Sequence, residues 1–172
     1  MPNIVIIQNE YRDLSAMYRV ITYATKSGII GGYALDPNHA FLQMKMVKEC
    51  FHKTDGVLLY HFLITFSTRE AFRITVDDML DIGFQIGKMF RDFQLVCGVH
   101  FDTDHLHLHL VMNTVSFVDG HKYAQGLTGF WNVKRMLQKR FPDSDVGIYQ
   151  SFPDLELNKY SGTPADDLLR VR

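Results

Sequence analysis

The side chains of residues 106–113 alternate strictly between two sets. The first set is aliphatic and the second contains two histidines; they are, in turn, Leu106, Leu108, Leu110 and Met112, then His107, His109, Val111 and Asn113. Successive side chains of a β-strand point to opposite faces of a sheet. The pattern therefore predicts a half-buried strand that packs its aliphatic face on a core and presents His107 and His109 side by side on the other face.

Apolar periodicity elsewhere predicts four further strands and four helices. The strands lie at residues 3–8, 56–66, 93–101 and 148–151, and the strand that contains the histidines extends to residue 117. The helices lie at residues 13–25, 36–52, 67–90 and 127–140. A strand–strand hairpin in the middle of this order favours an α+β fold, with a largely antiparallel sheet of about five strands flanked by helices.

Short sequence signals predict where some of these elements begin and end. Ser67 and Glu70 have the spacing of a capping box, which predicts one continuous helix from there to about residue 90, with Phe72 among its apolar positions. The pair Gly31-Gly32 predicts a flexible loop after the first helix. A threonine–proline pair near residue 163 predicts a last short helix in a polar tail.

Length and composition limit the possible classes of protein. The 172 residues are enough for one domain, residues 1–172, with a substantial core. The net charge of -1 does not indicate a strongly electrostatic nucleic-acid binder. The two cysteines, Cys50 and Cys97, lie far apart, so reduced thiols and a cytoplasmic location are expected. The chain has no apolar run of membrane-spanning length, so we expect no contact with a membrane.

Four of the eight histidines lie between residues 100 and 109. His107 and His109 share a strand face, and His100 could fold back beside them. Three imidazoles can bind a divalent ion and leave coordination positions open for a substrate, as in catalytic metal sites. Asp102 suits a supporting role, in which its carboxylate accepts the second N–H of a ligand histidine. His105 lies at the strand entry, so we rank it as a reserve ligand.

The segment from His100 to His109 fits the pattern H-x-D-x-x-x-x-H-x-H and is followed by LVMNTVSF and DGHKY. This run resembles the third motif of the conjugative relaxases, the mobilisation nucleases of the HUH endonuclease superfamily. Residues 60–66 resemble the second motif, with Thr65 where serine is usual. Residues 20–23, followed by Lys26, resemble the first motif, in which Tyr23 matches the catalytic tyrosine. Family members usually continue further, so a nicking domain at the N-terminus of a longer protein, or a compact member, is expected.

The resemblance implies metal-dependent, strand-specific DNA nicking at an origin of transfer, in the mobilisation of a plasmid or integrative element. Tyr23 would attack the scissile phosphate and remain attached as a 5′-phosphotyrosine, with Asp102 in the catalytic site. His100, His107 and His109 would bind Mg²⁺ or Mn²⁺, although imidazoles also suit Zn²⁺, Ni²⁺ or Co²⁺. The implied partners are single-stranded origin DNA and, beyond it, accessory relaxosome proteins and a coupling protein.

The choice of nucleophile also has support from helical phase. At 100° per residue Tyr23 points away from the apolar stripe of its helix, whereas Tyr18 lies on that stripe and is predicted to be a core residue. Tyr33, in the glycine-flanked loop, and Tyr11 are the next candidates. His61 has equal claims to a buried structural position and to a position that faces the site.

The candidate DNA contacts are more dispersed. Asn113 continues the histidine face and Thr65 ends the second motif, while basic residues cluster towards the last predicted helix. The predicted contacts are Thr65, Asn113, Lys122, Lys134 and Arg135. Phe130 and Trp131 could stack on unpaired bases, although core packing is the safer interpretation for at least one of them.

Two other functions are compatible with these residues. A rolling-circle replication initiator of the same superfamily uses the same chemistry, but its tyrosine usually lies in a helix that follows the histidines. The tyrosines in that part of the chain are Tyr123, Tyr149 and Tyr160, and none lies in a convincing long helix. A non-catalytic relative that binds DNA or metal is the second alternative.

Overall fold

The structure is a computed structural model that describes residues 1–101 and 105–151 and the backbone of residues 169–170. A seven-stranded sheet forms its centre. The strands are β1 (Asn3–Ile7), β2 (Ile30–Tyr33), β3 (Leu59–Thr65), β4 (Leu95–His100), β5 (His107–Asn113), β6 (Gly147–Ser151) and β7 (Leu169–Arg170). Their order across the sheet is β2-β4-β5-β3-β1-β6-β7, and all neighbours are antiparallel except β1 and β6. The predicted α+β class and largely antiparallel sheet are confirmed.

Helices cover both faces of this sheet. They are α1 (Leu14–Thr25), α2 (Ala40–Cys50), α3 (Thr68–Ala71), α4 (Val76–Met89) and α5 (Thr128–Arg140), with a short 3₁₀ helix at Pro37–His39 before α2. Helix α1 begins where the Asp13 carboxylate accepts a hydrogen bond from the backbone N–H of Ala16 at 2.7 Å. This bond satisfies one of the N–H groups that a helix start leaves without a partner. Within the described residues, no helix has both the length and the apolar character that crossing a bilayer requires.

The sheet separates two hydrophobic clusters. One cluster packs α4 and α5 against the face formed by Leu108, Leu110 and Met112. The other packs α1 and α2 against the opposite face, through Val96 and Val111. All seven residues of β5 are therefore buried, and the prediction of a half-buried strand is wrong for this reason.

Two predicted element boundaries are also wrong. The glycine pair Gly31-Gly32 lies in β2, a strand that pairs with β4, and not in a flexible loop. The long helix expected from residue 67 is two helices, because a second capping box at Thr75 begins α4 afresh. The capping box of Ser67 begins only the four-residue α3. Phe72 lies in the break between the two helices and is 87% exposed, so it does not pack in the core as predicted.

Three sequence predictions lie outside the described residues. They concern Asp102, Tyr160 as a nucleophile of a replication initiator, and the short helix near residue 163.

Candidate metal centre and adjacent tyrosine

The three predicted ligand histidines meet at one end of the sheet. His100 ends β4 and is the direct partner of His107, the first residue of β5. His109 lies two residues further along β5, on the same face. One side-chain nitrogen of each histidine lies within 4.8 Å of the others, and all three side chains are buried. The strand register thus assembles the cluster that the parity of the sequence predicted.

Hydrogen bonds fix the orientation of each ring. Nε2 of His100 lies 3.0 Å from the carbonyl oxygen of Ala24, and Nδ1 of His107 lies 2.8 Å from that of His105. A carbonyl oxygen can only accept, so these two nitrogens donate, and the other nitrogen of each neutral ring retains a lone pair. Nδ1 of His109 lies 2.9 Å from Nε2 of His61, and Nε2 of His109 is buried and makes no hydrogen bond within the described residues. This donor set fits a divalent ion.

Burial favours the neutral imidazole at His109 and at the neighbouring His61. Burial, together with the neighbouring imidazoles of His61, His100 and His107, holds the pKa of His109 well below its usual value. Burial and the nearby His100 lower the pKa of His61 to about 3. A neutral imidazole is the form that binds a metal. His109 therefore does not need to release a proton before it can bind an ion near neutral pH.

Tyr23 lies next to the histidine cluster, on the last turn of α1. Its half-buried ring meets the rings of His100 and His109 edge-on, with centroids 5.3 and 5.2 Å away. The ammonium nitrogen of Lys26 lies 4.4 Å from the centroid of the Tyr23 ring. The first predicted motif and the third, separated by about 80 residues in sequence, thus adjoin in the fold.

Close packing of α1 on β4 produces this contact. A Cβ atom on Gly98 would lie 1.9 Å from the carbonyl oxygen of Ala24, so only glycine lets the helix approach so closely. That same carbonyl oxygen accepts the hydrogen bond from His100. Gly98 was not among the sequence-predicted site residues, and a glycine in the middle of an apolar strand is the signal that could have found it.

The other candidate tyrosines lie elsewhere. Tyr18 is 54% exposed and packs edge-on against Phe41, so its prediction as a core residue is wrong. The Tyr33 hydroxyl donates a hydrogen bond to the carbonyl oxygen of Arg91, with 3.0 Å between the two oxygens. Tyr11 is buried and its hydroxyl lies 3.3 Å from Nδ1 of His61, so that histidine connects it to the cluster. Sequence parity left the role of His61 open, and the fold places it directly behind His109.

The predicted DNA contacts divide into three groups. Thr65 is the direct partner of His107 in the β3–β5 register, so it lies at the site end of the sheet. Asn113 is fully buried at the far end of β5, where its side chain bonds to Lys48, to Gln94 and to the carbonyl of Met44. Lys122 lies beyond that end and donates to Asp55. The burial of Asn113 contradicts its prediction as a DNA contact, and the position of Lys122 does not favour one close to the cluster.

The last predicted contacts lie on α5. This helix packs against the sheet face opposite the histidines, and Phe130 belongs to that core whereas Trp131 is 41% exposed. Lys134 lies over the Trp131 ring, 5.7 Å from its centroid, and Arg135 is exposed. These two basic residues therefore do not share a surface with the cluster.

A mostly antiparallel sheet with a histidine triad at one strand end, and a helix tyrosine beside it, is consistent with the nuclease fold of the HUH class. Comparison with known families is more specific. A family model described as "Relaxase: MobA/VirD2-like, nuclease domain" matches residues 22–140, which include Tyr23 and the whole triad. The chain belongs to this family of relaxase nuclease domains.

Curated relatives agree with this assignment. Protein rlx from Staphylococcus aureus is 28% identical over 107 residues, which cover 61% of this chain and 32% of the relative. Another Protein rlx from the same organism is 28% identical over 119 residues, 68% of this chain and 35% of the relative. The chain thus spans about a third of the length of these relatives. No solved structure gives a significant match.

Proposed function

We propose that this domain nicks one strand of DNA at an origin of transfer, with Tyr23 as the nucleophile and a divalent ion bound by His100, His107 and His109. Membership of the relaxase nuclease family supports the reaction class. The observation on which the assignment of residues rests is the edge-on contact of the Tyr23 ring with two of the three candidate ligands. A nucleophile and an ion so close together can engage the same phosphate group.

The reaction is an exchange of phosphodiester bonds. The Tyr23 oxygen forms a bond to the scissile phosphorus, the bond from phosphorus to the 3′ oxygen breaks, and the phenol proton is transferred so that a free 3′-OH results. One phosphodiester replaces another at little free-energy cost, so the same residues can rejoin the strand. A phenol has a pKa of about 10 and needs activation. The Lys26 ammonium group, which lies 4.4 Å from the centroid of the Tyr23 ring, can contact the phosphate that Tyr23 attacks.

The histidine cluster fits the ion by its chemistry. Burial keeps the pKa of His109 well below its usual value, and its buried Nε2 makes no hydrogen bond within the described residues, as a coordinating atom requires. When bound there, a divalent ion supplies Lewis-acid stabilisation of the charge on the phosphate. We propose Mg²⁺ or Mn²⁺ as the ion in use, with Zn²⁺, Ni²⁺ and Co²⁺ as ions that the imidazoles also accept. Asp102, which lies outside the described residues, is proposed as a supporting residue on the resemblance alone.

A covalent-adduct assay tests the nucleophile. The protein is incubated with Mn²⁺ and single-stranded origin DNA labelled at its 3′ end, the end that stays with the 5′-phosphotyrosine, and covalent protein–DNA products are separated under denaturing conditions. The wild type and the Tyr18→Phe and Tyr33→Phe variants should form the adduct, and Tyr23→Phe should not. Tyr18 is the matched control, because it lies on the same helix but is exposed and away from the cluster. An adduct in Tyr23→Phe would disprove the assignment.

Metal titration tests the ligands separately. Since His107→Ala removes one of three nitrogens, we expect it to abolish measurable Mn²⁺ binding in calorimetry. His39→Ala is the control, because its exposed side chain bonds to Asp36, in the turn before α2. Unchanged affinity in His107→Ala would show that the ion binds elsewhere.

The two alternative functions give different results in the same assays. For a replication initiator, loss of the adduct would follow substitution of a tyrosine beyond the histidines. Tyr123 is an unfavourable candidate, because it packs in the core on the opposite sheet face and its hydroxyl bonds to the carbonyl of Gly126. A non-catalytic relative would bind DNA and metal without forming an adduct. Accessory proteins and a coupling protein are proposed as partners by the family assignment.

A further inference from the structure

A line of hydrogen-bonded polar side chains lies on the side of the His109 ring that faces away from the proposed metal position. Nδ1 of His109 is 2.9 Å from Nε2 of His61, and Nδ1 of His61 is 3.3 Å from the Tyr11 hydroxyl. All three side chains are at most 5% exposed. The His61 and His109 rings are nearly parallel, with an interplanar angle of 21° and centroids 5.2 Å apart. The line thus runs from the loop after β1, through β3, to the cluster on β5.

Each member of this line constrains the next. A neutral imidazole has one N–H donor and one acceptor nitrogen. When His109 binds an ion through Nε2, its hydrogen must lie on Nδ1 and point at Nε2 of His61, which then accepts. His61 must in turn have its hydrogen on Nδ1 and donate to the Tyr11 oxygen. Each hydrogen bond in the line is then donated in the direction from His109 to Tyr11. With all the bonds reversed, the hydrogen of His109 would lie on Nε2, where it would prevent coordination.

We infer that His61 and Tyr11 are positioning residues for the metal site, which fix the tautomer and the ring orientation of His109. This inference rests on the proposed ion site. In many metal centres a carboxylate or a backbone carbonyl accepts the second N–H of a ligand histidine. Here the acceptor is a neutral histidine, His61, which is itself hydrogen-bonded to the Tyr11 phenol. Neither group adds negative charge next to an ion that is proposed to bind a phosphate.

The support is anchored by the backbone as well. The carbonyl of Tyr11 accepts a hydrogen bond from the N–H of Leu58 at 2.7 Å, which ties the loop after β1 to the start of β3. His61 lies on β3, which pairs with β5, and it is on the same face of the sheet as His109. It is diagonal to His109, whose direct partner is Leu63. His61 is therefore held in the sheet, and Tyr11 is held against the start of β3 by its own backbone.

Metal affinity tests the inference. Loss of such a supporting partner typically weakens metal binding about 10–100-fold, so Mn²⁺ titration of His61→Leu should show a loss of that size. In His61→Gln the side-chain oxygen can take the place of Nε2 as the acceptor, and the affinity should recover to within about threefold of the wild type. Tyr11→Phe removes only the hydroxyl and should weaken binding by a smaller factor. Tyr33→Phe is the matched control, because its hydroxyl bonds to the carbonyl of Arg91, and should have no effect.

The tautomers can be observed directly. In the Zn²⁺-loaded wild type with ¹⁵N-labelled histidine, two-bond correlation spectra should show the hydrogens of His109 and of His61 on Nδ1. This measurement does not require a folded His61 variant. A hydrogen on Nε2 of His61 would overturn the inference, as would wild-type Mn²⁺ affinity in His61→Leu.

The inference and the proposed function can fail separately. If the wild type binds Mn²⁺, and the His61 and Tyr11 variants weaken it as expected, but no covalent DNA adduct forms, then the nicking activity is refuted and the positioning role stands. If the adduct forms and the variants bind Mn²⁺ as the wild type does, the positioning role alone is refuted.

Discussion

Replacement of Gly98 by alanine should separate α1 from the metal site. Gly98 has no Cβ, and an added Cβ would lie 1.9 Å from the carbonyl oxygen of Ala24 and 2.9 Å from its carbonyl carbon. Cβ atoms essentially never approach other atoms closer than 3.0 Å, so the end of α1 must withdraw by more than about 1 Å. The atoms in the way are backbone atoms, so a change of side-chain rotamer cannot relieve the contact.

The size of the effect follows from two terms. Overpacking of a well-packed site costs about 1–3 kcal/mol, and loss of the hydrogen bond from His100 to Ala24 costs about 1 kcal/mol. The lower backbone entropy of the unfolded alanine chain offsets about 0.4–1 kcal/mol. We therefore expect the free energy of unfolding to fall by about 1–4 kcal/mol. A displacement of about 1 Å at Tyr23 should also slow nicking on the order of 100-fold.

The assay is urea unfolding combined with the single-turnover rate of adduct formation, each measured against Gly31→Ala. An added Cβ on Gly31 would meet only the side-chain atoms Cys97 Sγ and Leu80 Cδ2, both at 3.3 Å, so this control should lose little stability and keep its nicking rate. If Gly98→Ala nicks DNA at the wild-type rate, the close approach of α1 does not position Tyr23 and the reasoning is refuted. A loss of stability with an unchanged rate would refute the positioning step alone.

Two further predictions concern buried charges. Burial and the nearby Lys122 lower the pKa of Lys48 to about 7, whereas the unfolded chain keeps that proton to about pH 10.5, so stability should rise with pH between these values. Relative to Lys48→Met, the wild type should gain about 3 kcal/mol in the free energy of unfolding from pH 7 to 9.5, and a constant difference would contradict this. Although burial acts to raise the pKa of Glu70, hydrogen bonds from the N-terminal ammonium group, Ser67 and Ser144 lower it to about 2. Glu70→Gln should therefore lower stability by about 1–3 kcal/mol at pH 7, a difference that disappears as the pH falls from 4.5 through 2, and equal stability at pH 7 would refute it.

The histidine triad could be predicted from sequence because parity depends only on backbone geometry. Alternate residues of one strand lie on the same face, so His107 and His109 had to share a face. Directly paired residues of adjacent strands also share a face, and the hairpin brought His100 opposite His107. The burial of that face could not be predicted in the same way. It depends on α1 and α2, which pack there through contacts distant in sequence, such as those of Val96 and Val111.

The two boundary errors have different physical origins. The glycines of β2 indicated a loop, but at Gly32 the structure requires a small residue for close packing. An added Cβ there would lie 2.8 Å from the Leu35 side chain. The same residue type serves turns and close packing, and the sequence alone does not distinguish them. The break before α4 did have a visible signal, since Thr75 and Asp78 repeat the spacing of the capping box at Ser67.

The error at Asn113 shows what parity omits. Asn113 shares the face of His107 and His109, yet it lies six residues from His107, about 20 Å along a strand. The face on which a strand residue lies and its position along the strand are independent. Residues can form one binding site only if they share the face and also lie near the same end of the strand. At the end where the triad lies, the neighbouring side chains are those of Thr65, from β3, and of Tyr23 and Lys26, from the end of α1. The ammonium group of Lys26 lies beside the Tyr23 ring, so the phosphate contact proposed for it is local, and a near-neutral net charge is compatible with it.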